Sequence, residues 1–152
     1  MAKITLAELA DCEAIIQLQQ LAYQTEAQLY QDWAIPPLTQ TVHSLQQEFP
    51  HLVMLKAVSD KKIVGSVRAQ LIDGVCHIGR LIVHPDFQKQ GLGSELLLRI
   101  EQAFPDAVVY ELFTGSKSEG NIKFYLANHY RPAYTKNISA NLSLVYLRKT
   151  AS

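Results

Sequence analysis

Apolar positions recur along the chain with two different periods, and the switches between them outline its elements. Ile4 to Leu6 reads as a short strand. Asp11 then reads as the cap of a helix from about Cys12, in which Ala14, Ile15, Leu18, Leu21 and Ala22 make one apolar stripe. Pro36 and Pro37 force an extended link, and Val42, Leu45, Gln46 and Phe49 resume helical spacing until Pro50 closes the second helix. The period then shortens. HLVMLKAV and KIVGSVRAQLI are β-rich runs joined by the polar turn Ser59-Asp60-Lys61-Lys62, and VCHIGRLIV follows a turn at Asp73-Gly74, so three consecutive strands are expected as antiparallel neighbours. From Gly91 the helical period returns: at about 100° per residue, Leu92, Leu96, Leu97, Ile100, Ala103 and Phe104 fall within an arc of about 140°, the breadth of a helix packed on a sheet. Pro105-Asp106 ends it, and AVVYELFT reads as a strand that, after a helical crossover, runs parallel to the strand before it. SEGNIKFYLANHY supplies a further helix, capped by Ser118, with Ile122, Phe124, Tyr125 and Leu126 on its apolar side. ANLSLVYLRK is a final alternating strand.

Composition narrows the class. With 152 residues, 48% apolar and 18% charged, the chain has the size of one globular domain, expected to span residues 1–152. Lys+Arg and Asp+Glu balance at 14 each, which argues against duplex nucleic acid or an anionic membrane as a partner recognised by bulk charge. No apolar stretch approaches the roughly 20 residues that span a bilayer, and the opening residues lack the apolar core of a signal peptide, so a cytoplasmic protein is expected. Cys12 and Cys76 form neither a CxxC pair nor part of a His/Cys cluster; they read as small buried hydrophobes, and no metal or disulfide is implied.

The chemistry concentrates in HPDFQKQGLGSELL. Gln88 to Gly93 lies where a strand ends and a helix begins, and a helix start offers free backbone N–H groups and the positive end of the macrodipole. Two glycines let that backbone approach an anion, and Gln88 and Lys89 bring side-chain donors. Phosphate or pyrophosphate is the ligand this turn suits. The spacing is neither GxxxxGK[ST] nor GxGxxG, which disfavours the commonest nucleotide loops.

The longer stretch LIVHPDFQKQGLGSELL resembles the signature of the GNAT superfamily of N-acetyltransferases, with Val83, Pro85, Gln88, Gly91 and Gly93 at its fixed positions. NIKFYLANHY is similar to the family's Asn-x-x-x-Tyr helix, with Asn121 and Tyr125 in register. The resemblance implies an α/β (α+β) GNAT fold: a mixed, mostly antiparallel sheet of about six to seven strands, about four flanking helices, and a splay between strands four and five. It implies acetyl-CoA as cosubstrate, with the pyrophosphate on the backbone of Gln88, Lys89, Gln90, Gly91, Leu92, Gly93 and Ser94. The pantetheine arm would lie along Leu81, Ile82 and Val83, and Asn121 beside the cofactor.

Acetyl transfer to an amine by direct attack requires a neutral amine, a polarised thioester carbonyl and a proton for the departing thiolate. The resemblance makes Tyr125 the proton donor and a backbone N–H near Ile82 or Val83 the polariser. The family's base positions on strand four fall here on His77 and Gly79, and Glu111 on the next strand is the alternative base. Tyr30, Asp32 and Trp33 are candidates for the acceptor site, suited to a small cationic amine on a small molecule or peptide, and a homodimer is compatible with the family. Two departures stand out: Gly79 carries no side chain, and Asn128-His129-Tyr130 replaces the family's usual Leu-Gly-Phe. They motivate the alternative of a non-catalytic acyl-CoA-binding or regulatory module.

Overall fold

The computed structural model describes residues 2–151. Among them, seven strands form one sheet: β1 (Lys3–Leu6), β2 (Val53–Ser59), β3 (Lys62–Ile72), β4 (Val75–Val83), β5 (Val109–Gly115), β6 (Arg131–Asn137) and β7 (Ser143–Thr150), in the order β1-β2-β3-β4-β5-β7-β6. All neighbours are antiparallel except β4 and β5, the pair joined by a helical crossover. The helices are α1 (Cys12–Ala22), α2 (Gln24–Tyr30), α3 (Pro36–Thr39), α4 (Val42–Glu48), α5 (Leu92–Gln102) and α6 (Glu119–Ala127). None is long and apolar enough to cross a membrane.

Strand alternation divides the core in two. On β2, Leu55 joins Val67, Ala69, Cys76, Ile78 and Leu112 beneath Leu92, Leu96, Leu97 and Ile100 of α5, while its neighbour Met54 joins Cys12, Ile15, Ile16 and Leu45 of α1 and α4 on the other side. Leu96, Leu97 and Ile100 are fully buried, each contributing about 1.5–3 kcal/mol. Phe124 and Tyr125 of α6 pack against the α5 cluster. Cys12 and Cys76 are both free and buried.

Five details differ from the sequence pattern. Pro36 and Pro37, expected in an extended link, open the short helix α3, where proline's fixed φ and missing N–H suit the first turn, and the extended residue is Ile35 before them. Asp11 ends a short 3-10 turn instead of capping α1, because its carboxylate accepts the Glu8 N–H at 2.7 Å and pairs with Lys56 at 2.7 Å. The buried face of α1 is Cys12, Ile15, Ile16, Leu18 and Gln19, not Ala14 and Leu21; Gln19 is buried because its amide spans Pro37 C=O and the Arg68 guanidinium. Ser118 makes no side-chain cap on α6, since its hydroxyl donates to Glu26 and bonds Tyr30. The strand β6 is exposed along its whole length and contains Pro132, which an edge strand tolerates, so it lacks the apolar alternation that marks its neighbours. Where the family's glycine would end α6, His129 takes the left-handed conformation (φ 75°), and Tyr130 after it is fully buried, donating to Glu101 at 2.7 Å.

Candidate active site

The site begins with an irregularity in β4. Ser66 pairs with Ile82 and Arg68 with Gly79, so Arg80 and Leu81 together face Val67, and Arg80 takes a φ of 49°. Such a bulge bends the strand and raises its twist. The parallel ladder between β4 and β5 runs only from Val75↔Val109 to His77↔Glu111, after which the strands part. A cavity of about 310 Å³ lies between them, lined among others by Tyr23, Arg68, His77, Gly79, Arg80, Leu81, Leu112 and Tyr125. His84 N–H donates to Val64 C=O at 2.8 Å, so by strand alternation Ile82 also turns its backbone groups toward β3, whereas Leu81 and Val83 turn theirs toward the gap. Of the two backbone N–H groups expected to face the reacting carbonyl, Val83 has this orientation.

At the end of β4 the chain passes into α5 through a turn with Lys89 at φ 64° and Gly91 at φ 81°. A Cβ on Gly91 would meet nothing within 4 Å, so glycine serves the backbone conformation and leaves the turn open. The first backbone bond of the helix is Glu95 N–H to Gly91 C=O at 3.1 Å. Among the described residues, the N–H groups from Gln88 to Ser94 have no backbone acceptor. Free donors at a helix start form an anion site. The Gln88 amide points back, donating to Val83 C=O at 3.2 Å, so that side chain braces the strand end against the turn.

Tyr125 reaches the cavity from α6, its ring packed edge-on against Phe124 and Tyr130. Burial, helped by Tyr23 and Glu26, pushes its phenol well above the ordinary tyrosine range, so at neutral pH it holds its proton and can only donate. His77 is half-exposed in the cavity wall, with Nδ1 3.6 Å from Glu111 Oε1. Glu111 is buried, and its oxygens are taken up by Arg148 Nε at 2.6 Å and Tyr134 O–H at 3.1 Å.

Residues 12–130 match the acetyltransferase (GNAT) family. The protein belongs to the GNAT acetyltransferase family. Solved structures agree in fold. The PaiA N-acetyltransferase of Thermoplasma acidophilum, in complex with coenzyme A, superposes with a TM-score of 0.81 at 15% identity over 99% of both chains. The ribosomal-protein-S18-alanine N-acetyltransferase of Escherichia coli gives 0.81 at 16% identity, over 99% of this chain and 94% of that one. YncA of Salmonella typhimurium, solved with its cofactor acetyl-CoA, gives 0.74 at 18% identity over 99% and 94%. A comparison with curated proteins finds no match.

In this GNAT domain the remaining expected residues lie outside the cavity wall. Asn121 bridges α2 and β5 through Glu26 at 2.8 Å and Thr114 at 3.2 Å. Tyr30 is buried against Gly115, where a Cβ would collide with its phenol, and its oxygen accepts the Lys117 N–H. Asp32 accepts the Ala34 N–H at 2.9 Å, and Trp33 is exposed. The wall instead holds Tyr23 at the break between α1 and α2, Glu48 at the end of α4, Arg68 and Arg80. The signal for the arginines was present in the sequence: each is a lone cation inside an apolar β run. Burial, and then the neighbouring charge of Arg80, bring the Arg68 guanidinium down to about 10 against the pull of Glu48, which still leaves it charged at neutral pH.

Proposed function

We propose that the protein acetylates a primary amine by direct attack within a ternary complex of enzyme, acetyl-CoA and acceptor. The observation that carries this is the parting of β4 from β5 at the Arg80 bulge, which turns the backbone of Leu81 and Val83 away from β3 and toward a gap that β5 does not fill, between an open anion turn and the phenol of Tyr125. An acyl carrier with a pyrophosphate at one end and an amide-rich arm fits that run: Gln88 to Ser94 would hold the pyrophosphate, and Leu81 and Val83 the arm. Bound there, acetyl-CoA supplies the activated acetyl group, whose transfer leaves an amide on the acceptor and a free thiol. Val83 N–H is the donor placed to polarise a carbonyl in the gap. Tyr125 holds the proton that a departing thiolate needs. His77 takes the proton of the incoming amine, directly or through water in the open space at Gly79, where a Cβ would touch nothing within 4 Å.

Acetyl-CoA-dependent thiol release across a panel of amines tests the reading. Initial-rate lines that intersect are expected when both substrates are varied; parallel lines would indicate a covalent acyl-enzyme and refute direct attack. Tyr125→Phe should lower kcat by about 10²-fold with little change in the affinity for acetyl-CoA. An unchanged kcat would return Tyr125 to packing alone.

A further inference from the structure

The cavity between β4 and β5 carries more positive charge than an acetyl group requires. Arg68 and Arg80 both line it, and Glu48 is the one carboxylate in its wall. Glu48 stands 3.8 Å from Arg68, is half-exposed, and also accepts from Gln40. Arg68 is held on its inner side by Gln19 Oε1 at 2.7 Å and Gln40 Oε1 at 3.0 Å, so it is a built part of the wall. Arg80 is different. Among the described residues no carboxylate lies within ion-pair distance of it, and its Nε is buried without a hydrogen-bond partner. Folded proteins seldom leave a buried donor unmet, and a guanidinium fork is matched by a planar or tetrahedral oxyanion.

We propose that the acceptor is a small amine carrying its own anionic group, a carboxylate or a phosphate, which Arg80 binds while the amine lies against His77 and Tyr125. The inference rests on the cavity being the acetyl-transfer site. Its charge runs opposite to the cationic acceptor expected from Asp32, whose carboxylate faces the Ala34 N–H and not the cavity. Two guanidiniums would repel the second ammonium of a polyamine, so the wall rejects such a molecule as well as attracting an anionic one. The same positive field disfavours the ammonium form of the acceptor's reacting nitrogen, which helps present the neutral nucleophile. The cavity of about 310 Å³ must also take the end of the arm that lies along Leu81, which leaves room only for a small acceptor.

The test compares matched acceptors with acetyl-CoA held saturating: α-amino acids, their α-amides, aminoalkyl phosphates, uncharged alkylamines and polyamines. Carboxylate or phosphate acceptors are expected to exceed their uncharged analogues by about 10²-fold in kcat/KM, and the better of the two identifies the anion. Arg80→Gln should bring that ratio close to one by raising KM for the anionic acceptor, and Arg80→Lys should keep part of it. The KM for acetyl-CoA should stay unchanged in both, which also reports an intact fold. Equal or better rates with amides, alkylamines or polyamines overturn the proposal, as does an equal loss for all acceptors in Arg80→Gln. Should the variant not fold, short carboxylates lacking an amine must inhibit the wild type competitively against the acceptor and not against acetyl-CoA; failure to do so sinks the idea. If acetyl-CoA stabilises the protein and no amine of any charge releases thiol, the acetyl-transfer reading fails first and this inference falls with it.

Discussion

His77 and Glu111 stand opposite each other across the last rung of the β4–β5 ladder, and their surroundings differ. Glu111 is buried, with an ion pair to Arg148 and a hydrogen bond from Tyr134, so taking up a proton there would disturb an established network. His77 is half-open to the cavity, and imidazole is the side chain whose charge changes between about pH 5 and 8. If His77 is the base, kcat/KM should rise along an acidic limb that His77→Ala removes and Glu111→Gln leaves in place, though the glutamine variant should be less stable for want of the Arg148 pair. A limb lost in Glu111→Gln alone would transfer the role to Glu111. Persistence in both would mean that the acceptor's own ionisation sets the profile. At this scale the sequence spoke unevenly: the motif positions of Tyr125 and His77 led to two residues that line the cavity, whereas Arg80 showed only as a cation inside an apolar run, and the bulge that sets its backbone was not legible.

Among the elements, the turn from β4 into α5 makes the sharpest demand on residue type. Gly91 sits at φ 81°, a region closed to β-branched residues, and the open space around it is where a bound pyrophosphate would lie. Acetyl-CoA at 100 times its dissociation constant should add about 2.7 kcal/mol to the stability of the wild type, visible as a rise in Tm. Gly91→Val should lower the Tm of the free protein and abolish the rise. A rise of wild-type size in that variant would move the cofactor away from this turn. The same element shows what the sequence can convey. The switch from a period of two to a helical period located α5 because α5 buries a continuous apolar arc. That periodicity is silent where burial is polar, as at Gln19 on α1, or absent, as along β6. Tyr23, which separates α1 from α2, carries no breaker, so the division of that segment into two helices was not legible.

At the scale of the whole molecule, two buried layers on either side of one sheet hold several acidic hydrogens out of water, and that has a consequence for stability in alkali. Burial, with the charge of Glu101 adding to it, pushes the Cys76 thiol up to about 12. Cys12, Tyr125 and Tyr130 are shifted upward as well, burial being the largest cause in each. In the unfolded chain the thiols return to about 8.5 and the phenols to about 10. Above those values the unfolded state has released protons that the folded state still holds, so unfolding becomes more favourable as pH rises. The stabilising contribution of each group is therefore complete below its unfolded value and is lost between that value and the folded one. Each group steepens the decline by about 1.4 kcal/mol per pH unit within its window. Cys76→Ala should be less stable at pH 7.5 because a packed sulfur is missing, yet between about pH 9 and 10 its stability should fall less steeply than that of the wild type by about that amount. Urea unfolding at half-unit intervals from pH 7.5 to 10 measures both slopes. Parallel declines in the two proteins would show that Cys76 ionises as readily in the folded core as in water, and that the layer beneath α5 does not exclude solvent.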